Sequence, residues 1–251
     1  MKDVELVYGL HAVTALLEGG GRVHALWMLD SRHDDRLAKV AALAEKGGVK
    51  ISRVPRTELD RLTGGARHQG VAAQAEGLEL RDEGGLFPLL DQLREAPFLL
   101  VLDGVQDPHN LGACLRSADA AGVHAVIAPK DRSAGLTAVA RKVASGAAET
   151  MPFFQVTNLA RTLRELKERN VWLVGLAGEA DQGLYELDLK GPLAVVMGAE
   201  GEGMRRLTKE HCDFLAKIPM GGSVESLNVS VATGIALFEA RRQRAQGKPG
   251  R

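Results

Sequence analysis

The sequence predicts an α/β protein in two parts: a small αβα unit, then a larger unit built on a parallel sheet. Three observations predict it. Short apolar runs alternate with segments whose apolar residues recur at helical spacing. In the second part these runs are apolar almost throughout, as strands are when helices cover both faces of a parallel sheet. Three polar loops containing glycine follow such runs, and open parallel sheets hold their ligands beyond the carboxyl ends of their strands.

Residues 11–18 carry a short helical pattern that stops at Gly19-Gly20-Gly21. Residues 23–29 read as a strand. Over 34–46, Leu37, Val40, Ala41 and Ala44 share one helical face, and Gly47-Gly48 ends it. Residues 49–54 give another strand. Thr57 offers a cap for a short helix to Leu62, with Asp60 at the third position. A strand at 71–75 closes the first domain, 1–75. Residues 76–97 carry Gly77, Gly84, Gly85, Pro88 and Pro97 and read as a linker with one short helix at 86–94. The second domain, 98–251, has strands at 98–102, 125–128, 171–176, 193–197 and 214–218. Its helices are expected at 111–121, 136–145, 159–169 and 227–244. In the last of these, Leu227, Val231, Ile235 and Phe238 mark the face expected to be buried.

A hydrophobic content of 45% over 251 residues is enough for a sizeable core. No apolar run approaches the roughly 18 residues of a membrane span, and Met1-Lys2-Asp3-Val4-Glu5 lacks a signal-peptide layout. Cys114 and Cys212 form no metal-spaced pair and read as small buried apolar residues. A cytoplasmic, reducing setting is expected. The net charge is zero, which weakens any case for nonspecific nucleic-acid binding. Local basic clusters remain as candidate phosphate contacts: Arg53, Arg56, Arg61, Arg67 and His68, and at the C-terminus Arg241, Arg242, Arg244, Lys248 and Arg251.

The first polar loop runs from Asp103 to Asn110. Asn110 is placed like a helix N-cap, and Arg116 lies about one and a half turns further on, where it can hold a phosphate, contact Asn110 across the helix start, or simply face solvent. The second loop is Gly198-Ala199-Glu200-Gly201-Glu202-Gly203. Its glycines allow a backbone to approach a ligand closely, but it fails as a dinucleotide fingerprint. Gly201-Glu202-Gly203-Met204-Arg205-Arg206 lacks the third glycine. Its two carboxylates would oppose a pyrophosphate and suit a cationic or hydroxyl-bearing ligand. The third loop, Met220 to Ser226, follows Ile218-Pro219 and opens the last helix. Ser226 is a candidate cap, with Asn228 in the first turn.

Asn110-x-Gly112-x-x-x-Arg116, Met197-Gly198-Ala199-Glu200-Gly201-x-Gly203 and Ile218-Pro219-Met220 through Ser226-Leu227-Asn228-Val229-Ser230 form an ordered set. That set resembles the three motifs of the SPOUT-class RNA 2′-O-ribose methyltransferases, in the TrmH/SpoU branch, over about residues 98–244. Tyr8-Gly9-Leu10-His11-Ala12-Val13 and His68-Gln69-Gly70-Val71 are similar to the substrate-binding domain of the bacterial members that methylate a guanosine ribose in the peptidyl-transferase region of 23S rRNA.

The resemblance implies an L30e-like N-terminal domain and a catalytic domain with a C-terminal trefoil knot. It implies S-adenosylmethionine as methyl donor, no metal, 23S rRNA as partner, and a homodimer with the active site at the subunit interface. The catalytic set would be Asn110, Arg116, Glu200, Ser226 and Asn228. Donor contacts would come from Gly198, Glu200, Gly201, Ile218, Met220, Ser226 and Leu227, and RNA contacts from Arg67, His68 and Gln69. A guanidinium stays protonated, so Arg116 is expected to hold a phosphate and stabilise the forming alkoxide; Glu200 would take the proton if it is buried. Other readings are a tRNA 2′-O-methyltransferase, a resistance methyltransferase at another 23S rRNA site, a noncatalytic ribosome-assembly factor that binds RNA and, more distantly, a nucleotide-dependent dehydrogenase.

Overall fold

A computed structural model describes residues 4–19, 21–32, 34–76 and 83–246. In chain order the elements are β1 (Val4–Tyr8), α1 (Leu10–Glu18), β2 (Val23–Leu29), α2 (Asp35–Lys46), β3 (Ile51–Val54), α3 (Arg56–Thr63), β4 (Val71–Glu76), α4 (Leu86–Asp91), β5 (Phe98–Asp103), α5 (Pro108–Ala121), β6 (Ala125–Pro129), α6 (Ala138–Ala144), α7 (Ala147–Thr150), β7 (Phe153–Val156), α8 (Leu159–Glu168), β8 (Trp172–Leu176), β9 (Gln182–Gly183), β10 (Leu193–Gly198), α9 (Arg206–His211), β11 (Phe214–Lys217) and α10 (Val229–Gln246).

Two compact units result. The first comprises Met1–Glu79 together with Leu136–Thr150. Its four-stranded sheet has the order β1-β4-β2-β3; β4 runs antiparallel to β1 and β2, and β2 runs parallel to β3. Val13, Leu26, Met28, Leu37, Val40 and Val71 are buried in its core. Asp34 caps α2, accepting from the amides of Arg36 and Leu37 at 3.1 and 3.0 Å, which satisfies two donors that a helix start leaves open.

The inclusion of α6 and α7 departs from the chain-order expectation of a domain ending at 75. Both helices lie between strands of the second unit in sequence, yet α7 packs on α1. Arg141 of α6 is buried and pairs with Glu5 of β1 at 2.8 Å. Amphipathic spacing fixes which face of a helix is buried, not which core buries it.

The second unit comprises Leu80–Gly135 and Met151–Arg251. Its seven-stranded sheet has the order β7-β6-β5-β10-β8-β11-β9, and every pairing is parallel. From β5 the chain steps outward through β6 and β7, whereas β10, its other neighbour, leads toward β8 and β11. The order reverses between β5 and β10, which is where a crevice opens at the carboxyl ends. Leu99, Val101, Ala194 and Val196 of these strands are buried with Leu163 and Leu166 of α8.

Several local expectations are corrected. Thr57 does not cap α3: the helix starts one residue earlier behind Pro55, and Asp60 instead meets His68, Oδ1 to Nε2 at 3.0 Å. The short strands β1, β7 and β9 and the helix α9 were not expected. Of the interrupted stretch 76–97, residues 77–82 lie outside the described residues, as do Lys248 and Arg251 of the basic tail.

Candidate active site

The first loop delivers Asn110 one turn deeper than its sequence position suggests. Asp107 is the N-cap of α5, accepting from the amide of His109 at 2.9 Å, and Pro108 occupies the first turn, where a missing N–H costs nothing. Asn110 is therefore a helical residue, and its side chain is released from capping. Ser226 does not cap the last helix either. α10 begins at Val229, and Asn228 does the capping, its Oδ1 accepting from Ser230 N at 2.9 Å and Ser230 Oγ at 2.6 Å.

That cap orients a chain of amides. With Asn228 Oδ1 committed to an N–H, its Nδ2 faces outward and donates to Asn110 Oδ1 at 3.0 Å. Asn110 Nδ2 must then point the other way, and it donates to Glu200 Oε2 at 3.2 Å. Each amide can play only one role at each end. Asn110 in the first turn of α5, Glu200 in the second loop and Asn228 at the start of α10, up to 118 positions apart in the chain, form one directional network.

Beside it lies a cavity of about 720 Å³, lined by 176–179 after β8, 197–204 at the end of β10 and residues of 216–232 after β11. Gly198, Glu200, Gly201, Ile218, Met220, Ser226 and Leu227, the expected donor contacts, all line it. The size falls within the roughly 300–1,000 Å³ of small-molecule sites. Gly198 is required by close approach: a Cβ there would sit 2.1 Å from the carbonyl carbon of Gly203 and 2.2 Å from Met204 N. The loop closes on itself, Ala199 and Gly203 exchanging backbone hydrogen bonds at 3.0 and 2.9 Å. Sequence reasoning missed the wall at 176–179, where Glu179 and Lys209 form an ion pair. It was available as a further loop at the carboxyl end of an apolar strand.

Arg116 is not brought to this network. It lies six residues beyond Asn110, about 240° around α5, is exposed, and makes no hydrogen bond or ion pair among the described residues. Glu200 is also exposed, so the burial on which its role as proton acceptor was conditioned is absent in the single chain.

The expected buried face of α10 is corrected as well. Val231 and Phe238 are 51% and 50% exposed. The helix buries Val229, Thr233, Ala236, Leu237 and Ala240 instead, and it packs on α5. Thr233 satisfies its hydroxyl on Val229 O at 2.7 Å and accepts from Cys114 Sγ at 3.5 Å. Val231 and Phe238 are left outside that packing.

In the first unit, His68 and Gln69 are held by their neighbours. His68 is buried; its Nδ1 accepts from Gly70 N at 3.0 Å while Nε2 meets Asp60. Gln69 takes a left-handed backbone, φ 55°, and its Oε1 accepts from Leu10 N at 3.1 Å, an open donor at the start of α1. Arg67 is the exposed member of the three. Other basic candidates are engaged: Arg61 with Glu58 at 2.6 Å, Arg242 with Glu239 at 2.8 Å, and Arg244 with the carbonyl of Gly191 at 2.6 Å.

Comparison with known proteins divides the chain in sequence order, with 136–150 inside the C-terminal match. The SpoU rRNA Methylase family matches residues 97–238, and the RNA 2′-O ribose methyltransferase substrate binding family matches residues 6–81. The chain is 60% identical over 242 residues to the Escherichia coli strain K12 protein named 23S rRNA (guanosine-2′-O-)-methyltransferase RlmB, covering 96% of this chain and 99% of that one. To the protein of the same name from Shewanella oneidensis it is 57% identical over 245 residues, 97% of this chain and 99% of the relative. The AdoMet-bound rRNA methyltransferase from Sinorhizobium meliloti superposes with a TM-score of 0.75 at 27% identity, covering 95% of this chain and 87% of that one.

Proposed function

The chain belongs to the SpoU rRNA methylase family, and from that membership we propose that it transfers a methyl group from S-adenosylmethionine to the ribose 2′-hydroxyl of a guanosine in 23S rRNA. The observation that carries the reading is the Asn228–Asn110–Glu200 network standing beside a cavity lined by the second and third loops. The named relatives supply the substrate class.

Bound in the cavity, S-adenosylmethionine supplies a methyl group activated by a positively charged sulfur. The sulfur leaves as a neutral thioether, so the site needs no acid. Its work is to align the hydroxyl, take its proton and stabilise the oxygen as it becomes an alkoxide. Of the three networked side chains only Glu200 can accept a proton, and Asn110 fixes its direction. Apolar groups of Ile218, Met220 and Leu227 serve as walls for the adenine, while Gly198 and Gly201 let main-chain groups read its edge. Ser226 contributes a hydroxyl at the same wall.

Arg116 stays protonated and holds the adjoining phosphate and the developing alkoxide. Because it stands on a different face of α5 from Asn110, we assign it to the site of a second copy of the chain. The protein then works as a homodimer, which the exposed Val231 and Phe238 support. The N-terminal unit, L30e-like, holds the RNA with Arg67 as one of its exposed cations; His68 and Gln69 contribute by fixing the loop that carries it. The C-terminal knot of the family fits a chain whose loops after β8, β10 and β11 converge on one cavity. No described helix is long and apolar enough to cross a membrane, and the setting proposed is the cytoplasm.

The test compares purified protein on 23S rRNA and tRNA transcripts with labelled S-adenosylmethionine, and maps ribose methylation in rRNA from cells with and without the gene. A single guanosine in the peptidyl-transferase region should gain a methyl and lose it with the gene. Methylation of tRNA alone, or none in either RNA, would falsify the proposal.

A further inference from the structure

Asp103 ends β5, and its side chain is completely buried at 0% exposure. It lines no part of the cavity. A buried carboxylate is costly unless paired and hydrogen-bonded, and among the described residues this one is committed to a single partner. Asp103 Oδ2 accepts from Arg205 N at 2.9 Å, and Oδ1 accepts from Arg205 Nε at 2.6 Å.

Arg205 is where the second loop returns. Its departure lies at the same place, because Gly198 stands opposite Asp103 in the β10–β5 register. Between them Ala199 and Gly203 are bonded to each other, and Met204 is plugged into the core at 6% exposure. Gly104, next after Asp103, turns at φ 88° with Ala199 beside it: a Cβ on Gly104 would stand 3.5 Å from that of Ala199. Both ends of the second loop and the start of the first are thus referred to one buried carboxylate. The wall that the second loop gives the cavity, and the position of Glu200 against Asn110, depend on where that loop returns.

We propose that Asp103 is a positioning residue for methyl-donor binding, acting through Arg205 to set the return of the 198–203 loop. The proposal rests on the donor pocket assigned above. Asparagine at 103 keeps the volume and one acceptor but must present its N–H₂ to one of the two Arg205 N–H groups, so donor meets donor in either orientation. Alanine at 205 keeps the backbone hydrogen bond and removes only the guanidinium.

The experiment is calorimetric titration of the full-length protein with S-adenosylmethionine, for wild type, Asp103→Asn and Arg205→Ala, with thermal unfolding of each in the absence of donor. Loss of one charge-assisted hydrogen bond corresponds to about a tenfold change in an equilibrium constant. Asp103→Asn should therefore weaken binding by about tenfold or more, and Arg205→Ala by a smaller factor. A double variant should bind no worse than Asp103→Asn, because both changes break one interaction. Affinity within twofold of wild type in folded Asp103→Asn overturns the proposal, even if the unfolding temperature drops, since that pattern belongs to a purely structural carboxylate. If Asp103→Asn does not fold, unchanged affinity in Arg205→Ala overturns it equally. Failure of the wild-type protein to bind the donor would instead remove the assigned function, and this inference with it.

Discussion

Gly198 has no room for a methyl group. A Cβ would overlap the Gly203 peptide at about half the usual contact distance, and the obstacle is backbone, which cannot rotate aside. Gly198→Ala should therefore push the second loop off its closure and weaken S-adenosylmethionine binding by about 5- to 150-fold, the ~1–3 kcal/mol typical of overpacking. Isothermal titration would read this directly, and normal affinity would mean the loop shifts without harm. At this scale the sequence was most legible where a residue type admits few roles. The glycines of the second loop stood out because close approach restricts the choice, whereas Glu200 was singled out by the family resemblance. Asp103 was not, since an aspartate at a strand end has no spacing signature; its meaning comes from Arg205, 102 residues away. The N-cap roles given to Asn110 and Ser226 failed for a similar reason. Asp107 and Asn228 sit within three residues of them and can cap equally well, and propensity does not choose among such neighbours.

Among the elements, α10 shows how far periodicity reaches. Its existence and length were legible, but its buried face was not, because the stripe through Val231 and Phe238 and the stripe through Val229, Thr233, Ala236, Leu237 and Ala240 both satisfy helical spacing. Packing on α5 selected the second. The short strands β7 and β9 escaped because four residues, or two, give alternation too little to work with. The last turns of α10 also carry a testable charge effect. Glu239 accepts from Arg242 Nε and Nη2 and from Gln243 Nε2, each at 2.8 Å. Gln243 in turn accepts from Leu189 N and donates to Leu187 O, fastening the helix to that segment. Hydrogen bonds from Arg242, above all, pull the Glu239 carboxyl down to about 2, from an ordinary value of 4.5. A lowered folded-state value favours the folded chain above the unfolded value, and this contribution is lost as pH falls from about 4.5 toward 2. Thermal unfolding of wild type and Glu239→Gln should therefore differ most near neutrality and converge toward pH 2. A gap that stays constant across that window would disconnect the carboxylate from the stability of the helix.

For the molecule as a whole, the proposed exchange of Arg116 between copies makes a prediction that no single site can mimic. Arg116→Ala and Glu200→Ala should each lower ribose methylation by roughly 100-fold or more, the scale of one lost transition-state contact. Mixing the two, with time for subunits to exchange, should restore up to about a quarter of the wild-type rate per protomer, through sites that draw both intact residues from different chains. No recovery on mixing would confine each Arg116 to its own chain. Phe238→Asp, placed on the exposed stripe, should convert a dimer to a monomer in sedimentation velocity, and a variant that sediments as wild type would move the interface elsewhere. The two-part plan was visible in the sequence because each part has its own alternation of strands and helices. The assignment of α6 and α7 to the first unit was not, since it depends on which core receives them.

That assignment has a consequence for how the protein can be taken apart. Leu136–Thr150 departs from the second unit after β6, completes the first and comes back to form β7. A single cut between 77 and 82 would free an N-terminal fragment stripped of α7 against α1 and of the Arg141 that pairs with Glu5. Neither half is a detachable cartridge, so recombination that swaps the N-terminal half at that junction would have to carry fifteen residues of the other half along with it.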